Sequence, residues 1–249
     1  MIMHDVSQEK NIVLLLIHPM LSSAMEMERC IGNSLADKYR LLIPDLSGHG
    51  EAAGETFKSA MREAKEIHTY LKDQGIEKVD LAFGASLGGV VLLELLRYGD
   101  ISYGGLIFEG TSCYEKSRLM GKVMDEVFAA AQYFAKISKR FAARVFFGAY
   151  GKDYSMAMAE TYVSLNRSSI RHIMRDCSRV RFPKLGQELQ KNCVFAYGSK
   201  DRNLKRAKKV IPERYPYARL KIWPRLKSCV KLALGGEEYV RMIEAMCGK

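Results

Sequence analysis

The segment 81–92 constrains the fold more than any other part of the sequence. It is typical of an apolar strand followed by Gly84-Ala85-Ser86-Leu87-Gly88 and then by an apolar helix. A Gly-x-Ser-x-Gly pattern between a buried strand and a helix predicts a sharp turn that presents the serine above a parallel sheet. The two glycines allow strand and helix to approach closely. Ser86 would lie at a helix N-terminus, where a developing oxyanion is favoured.

Segments typical of strands and helices alternate along the rest of the chain. The predicted strands are 11–18, 39–45, 78–84, 103–108, 193–198 and 218–223. The predicted core helices are 24–39, 55–74, 87–98, 204–215 and 237–247. Apolar strands separated by amphipathic helices predict an α/β fold, with a mostly parallel sheet covered by helices on both faces.

The strand pattern stops between Glu109 and Gln190, in a segment too long to be a connecting loop. We expect residues 110–190 to form a helical cap inserted into a core made of residues 1–109 and 191–249. Apolar residues of this segment either line a substrate pocket or form the cap's own core. They include Met120, Phe128, Phe134, Phe141 and Phe147.

Composition excludes several classes of protein. Hydrophobic residues make up 48% of the 249, so the chain can bury a large core. No apolar run approaches the roughly 20 residues that span a bilayer, so no membrane contact is expected. The six cysteines are scattered, which predicts reduced thiols of a cytoplasmic protein and no metal site. The oligomeric state is not indicated.

The formal net charge of +11 raises the question of nucleic-acid binding. Basic residues crowd 200–209 and 171–181, but no stacking aromatics are interleaved with them. We therefore expect a solvated basic surface rather than a nucleic-acid site. Basic residues near a pocket mouth could still attract an anionic substrate.

Four landmarks in a fixed order resemble those of the α/β-hydrolase family. They are Ile17-His18-Pro19-Met20 after the first strand, 44–50 (Pro-Asp-Leu-Ser-Gly-His-Gly), the segment around Ser86, and 197–201 (Tyr-Gly-Ser-Lys-Asp). The resemblance covers nearly the full length. Because the first predicted strand begins at residue 11, the family's N-terminal antiparallel hairpin is expected to be missing or reduced, with His4 in a terminal tail.

The resemblance implies a serine hydrolase acting on a small ester, amide or thioester, without metal or organic cofactor. It makes Ser86 the nucleophile and Asp201 the acid, with Glu109 as a weaker alternative. The backbone N–H groups of Leu87 and Met20 would bind the oxyanion. In this family the counterparts of His18 and His49 are structural.

One departure from the family pattern concerns the catalytic base, a histidine that should follow the acid. No histidine follows Asp201, and Ser228 occupies the expected position. The possible replacement bases are His172, Lys227 and Lys231, since serine–lysine pairs exist elsewhere. Loss of the base costs on the order of 10⁶ in turnover.

Three hypotheses follow from this departure. The chain is a hydrolase with a replacement base, or a degenerate hydrolase that binds a small molecule or protein partner in the old pocket. In the third, the basic surface is functional and the fold is a scaffold.

Overall fold

The computed structural model describes residues 1–248, whose strands form one seven-stranded sheet and a separate two-stranded sheet. The strands are β1 Ile2–Val6, β2 Val13–Ile17, β3 Arg40–Asp45, β4 Lys78–Val79, β5 Leu81–Ala85, β6 Ser102–Tyr103, β7 Leu106–Glu109, β8 Cys193–Gly198 and β9 Arg219–Trp223. The large sheet has the order β1-β3-β2-β5-β7-β8-β9, and β4 pairs with β6. Every pairing except β1 with β3 is parallel, which confirms the predicted sheet.

Strand β1 corrects one expectation. It pairs antiparallel with β3, with Ile2 opposite Asp45 and Val6 opposite Leu41. His4 is therefore part of the sheet rather than of a tail, and its Nε2 lies 3.0 Å from Asp45 Oδ2. The strand escaped prediction because it lies at the sheet edge with half-buried residues, and so lacks the apolar run of a central strand. Within residues 1–248, one antiparallel strand thus precedes β2.

The central strands are apolar on both sides because helices cover both faces of the sheet. All five residues of β2 are buried. Leu14 and Leu16 pack into the hydrophobic cluster on one face, while Leu15 and Ile17 pack into the cluster on the other. This explains why the run Val-Leu-Leu-Leu-Ile shows no polar alternation.

Eleven α helices occur within residues 1–248, and none of them is long and apolar enough to cross a bilayer. They are α1 Ala24–Met27, α2 Ala60–Asp73, α3 Leu87–Leu95, α4 Arg118–Ile137, α5 Lys139–Phe146, α6 Lys152–Ser164, α7 Arg167–Cys177, α8 Gln187–Lys191, α9 Leu204–Arg214, α10 Val230–Ala233 and α11 Glu237–Cys247.

Helix α2 shows how local sequence sets these boundaries. Ser59 has an extended backbone, and its hydroxyl accepts a hydrogen bond from the N–H of Arg62, which begins the helix. Ala64, Ile67 and Leu71 then recur on one buried face. The helix ends just before Gly75, which has a φ of 65°.

Helices α4 to α7 and most of α8 lie in the segment 110–190, between β7 and β8, and we call this segment the helical insertion. Four hydrogen bonds join α7 to the chain just before and at the start of α2, and in two of them a backbone N–H of that chain is the donor. The Phe57 N–H donates to Ser169 Oγ at 3.0 Å, and the Ala60 N–H donates to Asp176 Oδ2 at 2.7 Å.

The parallel topology determines where polar groups gather. Because β2, β3, β5, β7, β8 and β9 run in the same direction, their carboxyl ends lie along one edge of the sheet. The residues at or just after these ends include His18, Asp45, Ser86, Glu109, Asp201 and Ser228.

Candidate active site

Ser86 connects β5 to α3 in a backbone conformation that side-chain-bearing residues rarely adopt. Its φ is 48° and its ψ is −106°, and its N–H donates to the carbonyl of Glu109 at 2.7 Å. Strain of this kind costs about 1–3 kcal/mol and persists only where the surroundings impose it. The side chain is half-buried and makes no capping hydrogen bond to the helix. The hydroxyl is thus presented at the edge of the sheet, where the motif predicts it.

The start of α3 packs directly against the turn that follows β2. A Cβ at Gly88 would lie 2.7 Å from the carbonyl oxygen of His18 and closer still to that of Ile17. Only glycine fits this approach. Leu87 is the first residue of α3, so its N–H lies outside the intrahelical hydrogen bonds. The structure therefore brings the two predicted oxyanion donors, Leu87 and Met20, into neighbouring segments.

His18 fixes the shape of the turn that carries Met20. Its Nε2 accepts from the Leu46 N–H at 3.1 Å, so its Nδ1–H donates to the carbonyl of Pro19 at 2.8 Å. Burial lowers the pKa of His18, which keeps the ring neutral in this bonded form.

His49 lies beside it, with ring centroids 5.1 Å apart, and burial lowers the pKa of His49 to about 3. His49 Nδ1 lies 3.2 Å from the carbonyl of Ser47. Both ring nitrogens of His18 are therefore bonded to backbone groups, whereas His49 Nε2 is buried without a hydrogen-bond partner. Neither ring makes a hydrogen bond to Ser86 within residues 1–248.

Asp201 follows β8 and is only 8% exposed. Its Oδ1 accepts from the N–H of Asn203 at 2.8 Å, while Oδ2 is buried without a hydrogen-bond partner. Burial raises the pKa of Asp201, and the approaching Ser228 hydroxyl partly offsets that effect. One oxygen of the carboxyl group is therefore bonded to the backbone, and the other is left to receive a donor.

Ser228 is brought to Asp201 by the loop after β9. A Cβ at Gly110 would lie 3.3 Å from Asp201 Oδ2 and 3.2 Å from Cys229 Sγ, and closer still to Ser228 Oγ. Gly110 has a φ of 59° and Cys229 a φ of 55°, so tight turns of two loops converge here. The structure thus places the residue predicted to replace the histidine next to the predicted acid.

None of the three possible replacement bases makes a hydrogen bond to Ser86 within residues 1–248. His172 is bonded through Nδ1 to the carbonyl of Phe57 at 2.9 Å. Lys231 forms an ion pair with Glu238, and its Nζ lies 5.3 Å from the centroid of the Trp223 ring. Lys227 is exposed.

Glu109, the alternative acid, belongs to a buried network. The Tyr239 hydroxyl donates to Glu109 Oε2, and Trp223 Nε1–H donates to the Tyr239 hydroxyl at 2.7 Å. Burial raises the pKa of Glu109 to about 8, and the nearby charge of Asp201 acts in the same direction. At neutral pH this carboxyl group is therefore protonated, so it is poorly suited to hold an imidazolium.

Two tyrosines of the helical insertion reach the site, and neither was predicted from the sequence to be a site residue. The Tyr150 hydroxyl donates to the carbonyl of Ser228 at 2.9 Å. The Tyr154 hydroxyl donates to Ser22 Oγ at 2.9 Å, just beyond the turn that carries Met20. No motif marks these positions, because a tyrosine in a helical segment is as typical of a core as of a site.

The described residues contain no group of three or more His, Cys, Asp and Glu side chains placed to hold a metal ion. The polar groups along the sheet edge are instead serines, single carboxyl groups, backbone amides and the ring of His18, which bonds to backbone groups. Such a set is suited to binding a carbonyl compound through a hydroxyl and N–H donors.

No protein-family model matches the sequence, and comparison with curated proteins finds no relative. Many solved structures are nevertheless similar over almost the whole chain. An α/β-hydrolase family protein from Desulfitobacterium hafniense is 20% identical, with a TM-score of 0.73, over 98% of this chain and 99% of that one. MenH from S. aureus is 19% identical, with a TM-score of 0.73, over 99% and 97%.

A carboxylesterase structure from Nitrososphaera gargenis is 16% identical, with a TM-score of 0.74, over 99% of this chain and 94% of that one. At these identities the similarity concerns the fold. It confirms the architecture predicted from the four landmarks in the sequence. The chain therefore has the α/β-hydrolase fold.

Proposed function

We propose that the chain binds a small ester, amide or thioester at Ser86 as a serine hydrolase whose triad has lost its base. Ser86 is the nucleophile, the N–H groups of Leu87 and Met20 bind the oxyanion, and Asp201 is the remaining acid. The single observation that carries the proposal is that Ser228 lies beside Asp201, whose Oδ2 has no partner.

The strained conformation of Ser86 supports a role in chemistry. A serine held at φ 48° lifts its hydroxyl away from the strand and toward bound ligand, as a nucleophile elbow requires. Attack of Ser86 Oγ on a carbonyl carbon, with the hydroxyl proton passing to water, would form a tetrahedral intermediate whose negative charge lies on the former carbonyl oxygen. The amides of Leu87 and Met20 would stabilise that charge, and collapse would expel the alcohol, amine or thiol and leave an acyl-enzyme. The leaving group would receive a proton back from water as it departs. Water would then release the acid.

The absence of a proton acceptor at Ser86 limits the rate. A serine hydroxyl is a poor nucleophile near neutral pH without a base. Removal of the base costs on the order of 10⁶ in turnover, and the oxyanion site and binding alone retain roughly 10³–10⁴ over water. We therefore expect slow hydrolysis of activated esters.

The helical insertion acts in this proposal as a cap over the site. Tyr150 and Tyr154 anchor it to the loop after β9 and to the turn after β2, respectively. Those two segments carry Ser228 and Met20, so the insertion contacts the proposed site both at the position of the missing base and beside the oxyanion donors.

A second candidate is a catalytically silent protein that binds a small molecule or a partner in the same pocket. It is favoured by the hydrogen bond of His172 to the Phe57 carbonyl and by the ion pair of Lys231 with Glu238, because neither side chain is bonded to Ser86 as a base would be. Both candidates keep Ser86 in the binding site, and they differ in whether acyl transfer occurs.

Hydrolysis of an acetate ester by the wild type, Ser86→Ala and Ser228→His tests the proposal. We expect slow activity that Ser86→Ala abolishes, and a gain of at least about tenfold from Ser228→His, since general base catalysis contributes about 10²–10⁴. The gain should disappear when Asp201→Asn is added. Ser102→His, which adds an imidazole at an exposed position on β6, is the matched control.

The outcomes separate the candidates. A silent wild type that gains Ser86-dependent activity from Ser228→His supports the silent binding protein. Rapid wild-type hydrolysis that depends on Ser86 contradicts the proposed loss of the base. His172, Lys227 and Lys231 should then be mutated to find the residue that acts as the base. No gain from Ser228→His in a folded variant overturns the assignment of Ser228 to the histidine position.

A further inference from the structure

The outer surface of α4 and α5 carries an excess of exposed apolar side chains. Nine of the seventeen large apolar side chains exposed in residues 1–248 lie between Leu119 and Phe146. Leu119 is 75% exposed and Ile137 is 68% exposed, so most of the surface of each side chain is in contact with solvent. Scattered apolar residues are normal on a protein surface, but a concentration of this kind marks an interaction site.

The apolar residues of α4 form one stripe. Their positions are Leu119, Val123, Val127, Phe134 and Ile137. The spacings of four, four, seven and three residues place them on one face of a helix about 30 Å long. We call this face the α4 stripe.

The α4 stripe is distinct from the face that α4 uses in folding. Gly121, Asp125, Gln132 and Ala135 are buried on the other side of the helix, where α4 packs against α7. A helix that exposes an apolar stripe in addition to its packed face has more apolar surface than its fold requires. Exposed Phe141 and Val145 on α5 extend the apolar surface beyond the Ser138 turn.

Positive charge borders the α4 stripe. Arg118, Lys122 and Lys136 are exposed along one side of it, by the same helical spacing. That side opens on a groove of about 610 Å³ between α4 and α7. The basic residues lining the groove are Arg118, Lys122, Arg171, Arg175 and Arg179.

Two carboxylates also line this groove, and both have basic partners. Asp125 is bonded by the guanidinium of Arg167, and Arg171 Nε lies 3.6 Å from its Oδ2. Glu126 lies 3.7 Å from Arg167. The groove therefore keeps a positive balance beside an apolar face.

We infer that the α4 stripe and its basic border dock onto an anionic lipid surface, with α4 lying in the plane of the interface. Apolar side chains would enter the boundary between headgroups and acyl chains, and the cations beside them would contact phosphate groups. A helix that lies on a membrane needs no spanning segment. The expectation of no membrane contact rested on the lack of an apolar run long enough to span a bilayer, and that lack does not exclude binding of this kind.

Charge argues against a second copy of the chain as the occupant. The chain carries a net charge of +11, and α5 adds Lys139, Arg140 and Arg144 near the same surface. A symmetric dimer through this face would set like charges against each other across the interface. An anionic bilayer complements both the apolar stripe and its border.

Sedimentation with vesicles tests the inference. We expect the wild type to bind vesicles of phosphatidylcholine and phosphatidylserine, to bind phosphatidylcholine alone weakly, and to lose affinity as salt increases. Val123→Gln with Phe134→Gln should weaken binding by about thirtyfold, from the lost apolar burial. Arg118→Gln with Lys122→Gln should weaken it by about the same factor, since each cation is worth about fivefold.

Matched controls use equally exposed residues elsewhere. Met61→Gln on α2 and Lys208→Gln with Lys209→Gln on α9 should leave vesicle binding unchanged. Circular dichroism should show that each variant folds. Ser86→Ala should bind as the wild type does, because the surface acts independently of the proposed chemistry.

Three results would overturn the inference. The first is no binding to anionic vesicles at low salt. The second is an equal loss of binding in the control variants, which would indicate attraction to the overall charge. The third is a dimer in light scattering that Val123→Gln with Phe134→Gln converts to monomer, which would make a second copy the occupant.

Discussion

Replacing Glu109 with glutamine should change how the stability of this protein depends on pH. Glu109 is fully buried, and burial raises its pKa from the ordinary 4.5 to about 8. Between these two values the folded state keeps the proton while the unfolded state has lost it. Folded protein therefore binds more protons than unfolded protein, and the free energy of unfolding falls as pH rises through this range. Below about pH 4.5 both states are protonated and the penalty vanishes.

The magnitude follows from the size of the pKa difference. Each pH unit between the two pKa values costs about 1.4 kcal/mol. Rounding at the two ends reduces the total to roughly 3–4 kcal/mol between about pH 5 and about pH 8. Glutamine has the same shape and can still accept from Tyr239, but it does not titrate. Glu109→Gln should therefore become more stable relative to the wild type by this amount over the interval.

Urea unfolding of both proteins across this pH range measures the effect, because the difference between them cancels the other titrating groups. Glu188→Gln, at an exposed position on α8, is the control and should show no such trend. If the stabilities of wild type and Glu109→Gln run parallel from about pH 5 to about pH 8, the carboxyl group titrates normally and the reasoning fails.

Two further substitutions test the strand–turn–helix geometry. Ser86→Gly should raise the free energy of unfolding by about 1 kcal/mol, because release of about 1–3 kcal/mol of strain exceeds the roughly 0.5–1 kcal/mol that a flexible glycine costs. Ser86→Ala should not, and equal urea midpoints for the two variants would contradict the strain. Gly88→Ala should lower stability by about 3 kcal/mol through overlap with the backbone of Ile17. Gly54→Ala, where a Cβ meets nothing within 4 Å, should have little effect in the same urea-unfolding assay.

The sequence predicted the elements whose local pattern and tertiary setting agree. The strand at 193–198 and the helix at 237–247 match β8 and α11 residue for residue. Buried parallel strands are continuous apolar runs, and α11 presents apolar residues at helical spacing. The order of these elements predicted a mostly parallel α/β sheet, and the resemblance of the four landmarks to the α/β-hydrolase family then indicated the fold.

The predicted helix boundaries were wrong where local preferences for helix and for turn compete. The helix expected over 24–39 ends at Met27 and continues as a π-helical turn, Glu28–Gly32, and then as turns. Gly32, Asn33 and Ser34 favour turns over helix, and periodicity alone hid this preference. The helix expected over 55–74 begins only at Ala60, because Ser59 caps it.

The candidate site likewise contains some residues that the sequence predicted and others that it did not. Ser86 and Ser228 stand at fixed offsets from strand ends, so sequence could place them at the sheet edge. Tyr150 and Tyr154 reach that edge from the helical insertion, whose packing depends on contacts between residues far apart in the chain. Such contacts leave no local pattern. The same is true of the protonated state of Glu109, which depends on burial by several elements at once.

The proposed site has two functional parts, the proton acceptor and the oxyanion donors. Because α3 is in close contact with the turn after β2, the oxyanion donors are harder to lose by mutation than the proton acceptor. In the proposed site the proton acceptor would be a single side chain, so one substitution at position 228 would suffice to remove it or restore it. The proposed oxyanion donors are backbone amides of Leu87 and Met20, and no change of side chain at those positions deletes an N–H unless it introduces proline. Gly88 allows the two segments to pack this closely, because a Cβ there would overlap the Ile17 and His18 carbonyl oxygens. Catalytic power in such a scaffold can therefore be switched off by one mutation while the shape that recognises a carbonyl persists.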